Sequence, residues 1–426
     1  MPTDTATPRP VLPFRHVLAV VLGNALEFYD FLTYAFFAVQ IGRTFFPNES
    51  ANSSLLLSLA TFGAGFITRP LGGVVIGMMG DRVGRKPAML LSFSLMGIAI
   101  VGLALTPSYN SIGVAAPILV LCFRLLQGFS LGGEVGPTTA YMIEAAPPNR
   151  RALYASMQGA TQDFAVLCAG LIGVVLANLL DADTLQNWGW RIAFLIGAAI
   201  IPFGLIARSG LMETLEQKDG AEEMEAHPDA PTPWRIALLG LCLLGSGTIC
   251  TYVMTYLATY ATDTLGMPSR LAFGATVVVG LCGLCLDPVS GWLSDRFGRK
   301  PIMFIPTFLL FLAAYPAFLV ISHYRTETAL LSATAVLACL SALGQIPILT
   351  ALTESLPRRI RSGSLAIIYA VAIATFGGTT QFMLKWLIDV TGNPQAPGFY
   401  MMGAIAFGLV GIVLIPESAP AARHKR

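Results

Sequence analysis

Apolar runs of bilayer length alternate with short polar interruptions along the whole chain. A helix crossing the hydrocarbon core needs about 20 mostly apolar residues, and the alternation predicts twelve spans. They cover residues 15–42, 54–79, 87–107, 111–140, 151–180, 190–208, 235–261, 270–293, 301–322, 328–354, 362–388 and 396–416. A Pro- and Thr-rich tail, 1–14, precedes the first. The longest polar interruption, Ser209 to Trp234, holds Glu213, Glu216, Lys218, Asp219, Glu222, Glu223 and Glu225. Such an acid run is most simply solvated. Residues 209–234 are therefore expected to link two bundles, 15–208 and 235–416, with a short tail at 417–426.

The chain is 55% hydrophobic and 12% charged, with a mean hydropathy of +0.68. A soluble domain carries about 25% charged residues, so the fold class is an all-α membrane protein with the lipid bilayer as its partner. The net charge of +2 gives no reason to expect nucleic acid. Of 26 Lys and Arg, 19 fall in the tails and in one set of loops, whereas Arg43, Arg191, Arg270 and Arg325 fall on the opposite side. Basic residues mark the cytoplasmic side, which places both termini in the cytosol. The other three, Arg69, Arg124 and Lys385, lie inside apolar runs.

All seven cysteines lie in such runs too. Cys282-x2-Cys285 has no His or further Cys beside it, so thiols acting as small apolar residues are expected rather than a metal or redox site. The polar residues of the first run suit a retained helix rather than a cleaved leader. No cofactor, metal or catalytic group is expected.

Two turns echo each other. Gly77-x3-Asp81-Arg82-x-Gly84-Arg85-Lys86 recurs as Gly291-x3-Asp295-Arg296-x-Gly298-Arg299-Lys300, 214 positions on and half the chain away. Six matched positions at that offset signal an internal repeat. A second echo joins Glu144, Pro147 and Arg150, after the fourth span, to Glu354, Pro357 and Arg358, after the tenth. A carboxylate at a helix end can accept from the N-terminus of a neighbouring helix or pair with a loop arginine. Asp81, Arg82, Arg85, Glu144, Arg150, Asp295, Arg296, Arg299, Glu354 and Arg358 thus form the expected cytoplasmic gate. The simpler alternative is that these charges only set topology.

The G-x3-D-R-x-G-R-K turn resembles the loop between the second and third helices of major facilitator superfamily transporters. That resemblance implies twelve transmembrane helices in two six-helix bundles, related by a pseudo-two-fold axis along the membrane normal.

An ionisable residue at mid-membrane is costly and normally faces a cavity or a partner. Asn24, Glu27 and Tyr34 share one face of the first span, with Asp30 alongside. Arg69 and Arg124 are central in the second and fourth. Gln158 and Gln162 share a face of the fifth, beside Asp163. The second half offers Asp287, Gln345, Tyr252 and Tyr256, then Gln381 and Lys385 one turn apart. Packing ion pairs are the structural alternative for each residue, and Lys385 could equally snorkel to the outer interface. Arg191, in Trp188-Gly-Trp190-Arg191, reads as an interfacial anchor. His16, His227, His323 and His424 all lie in tails, loops or span ends. Proton coupling is therefore expected of a buried carboxylate, Glu27 or Asp30 first and Asp163 third.

Several stretches together resemble the metabolite:proton symporter family of that superfamily. They are Gly23-Asn24-x2-Glu27-x-Tyr29-Asp30-Phe31, Phe66-x2-Arg69-Pro70-Leu71-Gly72, Arg124-x2-Gln127-Gly128-x4-Gly133-Glu134, Trp188-Gly189-Trp190-Arg191 and Phe376-Gly377-Gly378. Within the family, the first helix and the region from Gly377 to Tyr400 look most like bacterial citrate and tricarballylate carriers, although Gln381 stands where relatives often have Pro. The resemblance implies import of a small metabolite with protons, by a monomer in the bacterial inner membrane. Osmosensing relatives carry a long heptad-bearing tail, which is not expected here. Drug antiporters carry a Gly- and Pro-rich fifth helix, whereas residues 152–179 hold no Pro.

Two central arginines suit a di- or tricarboxylate, because each guanidinium fork matches one carboxylate. Asn24, Tyr34, Gln158 and Gln162 would orient its remaining oxygens, with Tyr256, Gln381 and Lys385 closing from the other half. A dicarboxylate, a betaine- or proline-like zwitterion facing Asp163, or Na+ in place of H+ are the alternatives. An enzyme would need a nucleophile–base or metal constellation, and none is visible.

Overall fold

A computed structural model of the chain describes residue 25 and residues 28–47, 50–83, 85–132, 150–209, 233–356 and 361–418. Among these residues the secondary structure is helical throughout, with no strand. In chain order the main elements are α1 (28–45), α2 (Ala51–Met79), α3 (Arg85–Leu105), α4 (Ala115–Gly132), α5 (Arg151–Leu179) and α6 (Trp190–Ser209). They continue with α7 (Trp234–Thr264), α8 (Ser269–Phe297), α9 (Arg299–Tyr324), α10 (Glu327–Ser355), α11 (Ile367–Thr391) and α12 (Ala396–Leu414). Nine helices among the described residues are long and apolar enough to cross a membrane. The apolar part of α3, Leu90–Leu105, is shorter because Arg85 and Lys86 open that helix.

Several helices carry internal prolines: Pro202 in α6, Pro288 in α8, Pro306 and Pro316 in α9, and Pro347 in α10. Membrane helices tolerate such breaks because neighbours re-satisfy the freed backbone groups. The apolar core divides accordingly. One cluster draws mainly on α1 to α6, another mainly on α7 to α12, and a third fills the end of the second group around Met303 and Leu352. The repeated turn is built as its glycine suggests. Gly298, between α8 and α9, sits at φ +109°, a conformation that disfavours any residue with a Cβ.

Two seams join the groups. At the first, α2 meets α11 through bare backbone, and a Cβ on Gly63 would collide with the Gly378 carbonyl. Gly377-Gly378 is both a close contact and a local irregularity, because Ile373–Gly377 widens into a π-helical turn. At the second seam, α5 and α8 run antiparallel with a constant register. Gly173 lies against Phe273, Gly170 against Thr276, Gly280 against Leu167, Gly283 against Asp163, Gly159 against Asp287 and Gly291 against Ala152. Small residues let membrane helices approach this closely.

Gly73-x3-Gly77 does less than its spacing suggests. Gly73 approaches Gly132, but nothing lies within 4 Å of a Cβ on Gly77.

Candidate functional site

The chain breaks α2 to place Arg69. Between its segments Ala51–Ala64 and Arg69–Arg82 the backbone tightens, with Phe66 N–H donating to Gly63 O (3.0 Å) and Arg69 N–H to Phe66 O (3.2 Å). Pro70, which lacks an N–H, then opens the second segment at minimal cost. Helix α4 is locked against this break. A Cβ on Gly128 would strike the Gly65 carbonyl and one on Gly132 the Arg69 carbonyl, while Thr68 Oγ1 donates to Leu125 O at 2.6 Å. The result brings Arg69 and Arg124 together inside the protein.

Both guanidiniums stack on rings. Arg69 Cζ lies 4.4 Å from the Phe31 centroid and 4.3 Å from Phe66. Arg124 Cζ lies 4.3 Å from Phe31, 4.6 Å from Tyr34 and 4.9 Å from Phe62. Phe31 is thus shared by the two cations. Tyr252 of α7 closes the cage from the other half, 5.4 Å from Phe66 and within hydrogen-bonding reach of Arg69. Arg124 is fully buried, and it donates to neutral acceptors: Gln127 Oε1 at 2.7 Å and Phe62 O at 3.2 Å. Among the described residues no carboxylate lies within ion-pair distance of it. Arg124 Nε and Gln127 Nε2 are buried donors without an acceptor.

The other expected residues divide. Asn24, Glu27, Glu144 and Arg358 lie outside the described residues, as do the side chains of Asp81, Arg82 and Arg85. Asp30 is buried, but its carboxyl points at Gly197 of α6, and its Oδ1 has no hydrogen-bond partner. Tyr34 joins the arginine cage. Gln158 is buried and Gln162 half-buried on α5. Gln381 is buried with neither amide atom partnered. Tyr256 packs 6.5 Å from Tyr260 and sits near Asp263 and Asp389 rather than in the cage.

Lys385 is placed differently from either sequence expectation. It neither snorkels nor offers a free ammonium. Its three donors go to Asp263 Oδ2 (2.7 Å), Asp389 Oδ1 (2.9 Å) and Asn52 Oδ1 (3.0 Å). Asn52 belongs to α2, so this cluster latches one group of helices to the other. It lies ten residues from Phe62 along α2, about 15 Å along the helix axis from the arginines.

The opposite end carries the repeated turn. Asp295 accepts from Ala152 N–H (3.1 Å) and Leu153 N–H (2.9 Å), the first turn of α5, where a helix favours an anion. Fully buried Arg299 reaches Asp295 Oδ1 at 2.6 Å and Glu354 at 3.2 and 3.3 Å. Glu354 also faces Arg151 of α5 at 3.9 Å and accepts from Ser418 at 2.7 Å. Glu417 caps α9, accepting from the N–H groups of Arg299 and Lys300 at 2.9 Å each. Arg296 stays out of this network and lies exposed, 5.5 Å from both the Trp292 and Phe297 rings. Arg150 is exposed as well, at the start of α5. At this end, among the described residues, the polar contacts of this network that cross between the groups are therefore the α5 backbone on Asp295 and Arg151 on Glu354.

Comparison with known proteins agrees with this architecture. The Major Facilitator Superfamily model matches residues 20–372 and 275–426. A citrate-proton symporter of Salmonella typhi is 35% identical over 406 residues, 94% of each chain. A proline/betaine transporter of Escherichia coli is 31% identical over 424 residues, 95% of this chain and 83% of that one. The partially occluded inward-open structure of a xylose transporter from E. coli superimposes with a TM-score of 0.78 at 17% identity, covering 95% of this chain and 98% of that one. With helices that cross a membrane, two helix groups meeting at paired seams, and matches along nearly its full length, the chain belongs to the Major Facilitator Superfamily and is a carrier, not an enzyme.

Proposed function

We propose that this carrier imports a small di- or tricarboxylate together with protons, by alternating access across the bacterial inner membrane. The observation that carries the reading is the pair of stacked arginines, with Arg124 balanced by no described carboxylate and its Nε unused. A cation so deeply buried is costly unless an anion joins it for part of the cycle. A second carboxylate on the substrate would engage Arg69, and Gln381 is the buried amide available in the other half. The resemblance to citrate-proton symporters favours the same class. Twelve crossings, bundles at 15–208 and 235–416, and cytoplasmic termini complete the proposed topology, with Glu27, Asp30 and Asp163 as proton-carrying candidates.

A zwitterion is the second reading, because proline/betaine transporters are also relatives. An aromatic cage suits a quaternary ammonium. Here, however, the protein's own guanidiniums already stack on those rings. Competition decides: excess citrate or tricarballylate should block uptake into proteoliposomes, and glycine betaine should not. Arg124→Lys keeps the charge but loses the fork, so carboxylate uptake should fall by roughly 10- to 100-fold, the value of one or two charged hydrogen bonds. Inhibition by betaine alone, or full activity in Arg124→Lys, would overturn the carboxylate reading.

A further inference from the structure

Helices α5 and α8 carry the same short pattern: Gly159-x3-Asp163 on one, Gly283-x3-Asp287 on the other. A spacing of four puts glycine and aspartate on one helix face. Because the helices are antiparallel, the two patterns meet head to tail. Asp287 Oδ2 occupies the space where a Cβ on Gly159 would stand, and the Asp163 carboxyl fills the corresponding space at Gly283. Each carboxyl is thus seated in a notch of the other helix, with Asp287 2% exposed and Asp163 half-buried. The two carboxyls lie within hydrogen-bonding reach of each other.

Two ionised carboxylates are both acceptors and cannot hydrogen-bond. Held together, they repel unless at least one keeps a proton. No cation offers relief, since among the described residues neither aspartate has an ion-pair partner. Among the described residues the titratable groups facing the pair are thiols: Cys282 of α8 beside Asp163, and Cys339 of α10 against Cys282. Cys285 lies exposed further round α8. Otherwise α10 presents Ile346 at Gly159. Asp30 of α1 is turned to α6, Asp263 of α7 is held by Lys385, and Asp295 near the end of α8 is bound by Arg299 and the α5 N-terminus.

We propose that Asp163 and Asp287 form a proton-sharing carboxyl pair at the seam between the two helix groups, holding a proton while α5 and α8 stay closed and releasing it to water when they part. On closure a proton from water completes a carboxyl O–H that donates to the partner oxygen. On opening that O–H bond breaks and each carboxylate is hydrated separately. The proposal rests on the proton-coupled reading above and adds Asp287, together with the seam, as the place where protonation and helix separation meet.

The test needs no substrate, so its outcome is independent of what is carried. Infrared pH-difference spectra of the full-length protein in lipid nanodiscs should show a protonated-carboxyl C=O band titrating in the wild type. The band should vanish in both Asp163→Asn and Asp287→Asn and survive in Asp30→Asn. A wild type without such a band overturns the proposal, however the variants fold. Persistence of the band in either seam variant, or its loss in Asp30→Asn, overturns it too.

Discussion

Replacing Arg299 by Met removes the cation from two buried carboxylates. Their side chains are 7% and 6% exposed, and the guanidinium itself is fully buried. Breaking a buried pair by deleting one partner costs about 3–5 kcal/mol, because the remaining charge has neither water nor counter-ion. The lower end applies here. Asp295 keeps its two α5 N–H donors, and Glu354 keeps Ser418 and a distant Arg151. For a unit of about 200 residues each kcal/mol moves the melting midpoint by about 2–4 °C, so a loss on the order of 10 °C is expected in a thermal-shift assay of the purified carrier. The double variant Arg299→Met/Glu354→Gln removes one stranded charge and should recover roughly half. A single variant that melts within about 2 °C of wild type, or a double variant less stable than the single, would refute the reasoning.

Other outcomes follow from packing and topology. Gly128→Ala sets a Cβ against the Gly65 carbonyl and should abolish stable expression. Gly77→Ala meets open space and should gain up to about 1 kcal/mol from helix propensity; the first is read as the yield of membrane-inserted protein, the second by melting in detergent. Lys385→Met leaves Asp263 and Asp389 unneutralised beside Asn52 and should raise thiol labelling of a cysteine at position 59 from outside; unchanged labelling would remove the latch. A cysteine at position 220, in a background without the native thiols, should react only from the cytoplasmic side, and labelling from outside would sink the proposed topology.

Much of the fold could be read from the chain because the bilayer simplifies the code. Twenty apolar residues can do little else, and the Asp295 turn keeps its spacing because its glycine needs φ +109°. The two arginines stood out for the same reason, being charges where charges are expensive. What stayed hidden depends on which neighbour a helix face meets. Phe31 and Phe66 were visible only as members of motifs and Phe62 not at all; their role as a platform shows once the break before Pro70 turns Arg69 onto Phe31 and Phe66 and Arg124 lies over Phe31 and Phe62. Gln127 was visible only as part of a motif, although its spacing of three from Arg124 already made it a hydrogen-bond partner. Asp30 shares the first span with Glu27, yet its carboxyl turns to Gly197, a contact 167 positions away. Lys385 could have been paired with Asp389 from their spacing of four, but Asp263 and Asn52 come from other helices. Asp287 gains meaning only beside Asp163, through an antiparallel register that no single-helix pattern encodes.

The cap that Glu417 places on α9 bears on how the protein can be handled. Two residues just beyond the last helix, Glu417 and Ser418, tie the start of α9 and the end of α10 to the chain's own C-terminal segment. A reporter or purification handle fused directly after α12 would pull on that strap and so on Arg299 and Glu354. Handles are better spaced well past Ser418. Conversely, a fluorophore placed just after it would report on the Asp295–Arg299–Glu354 network without any label inside the membrane.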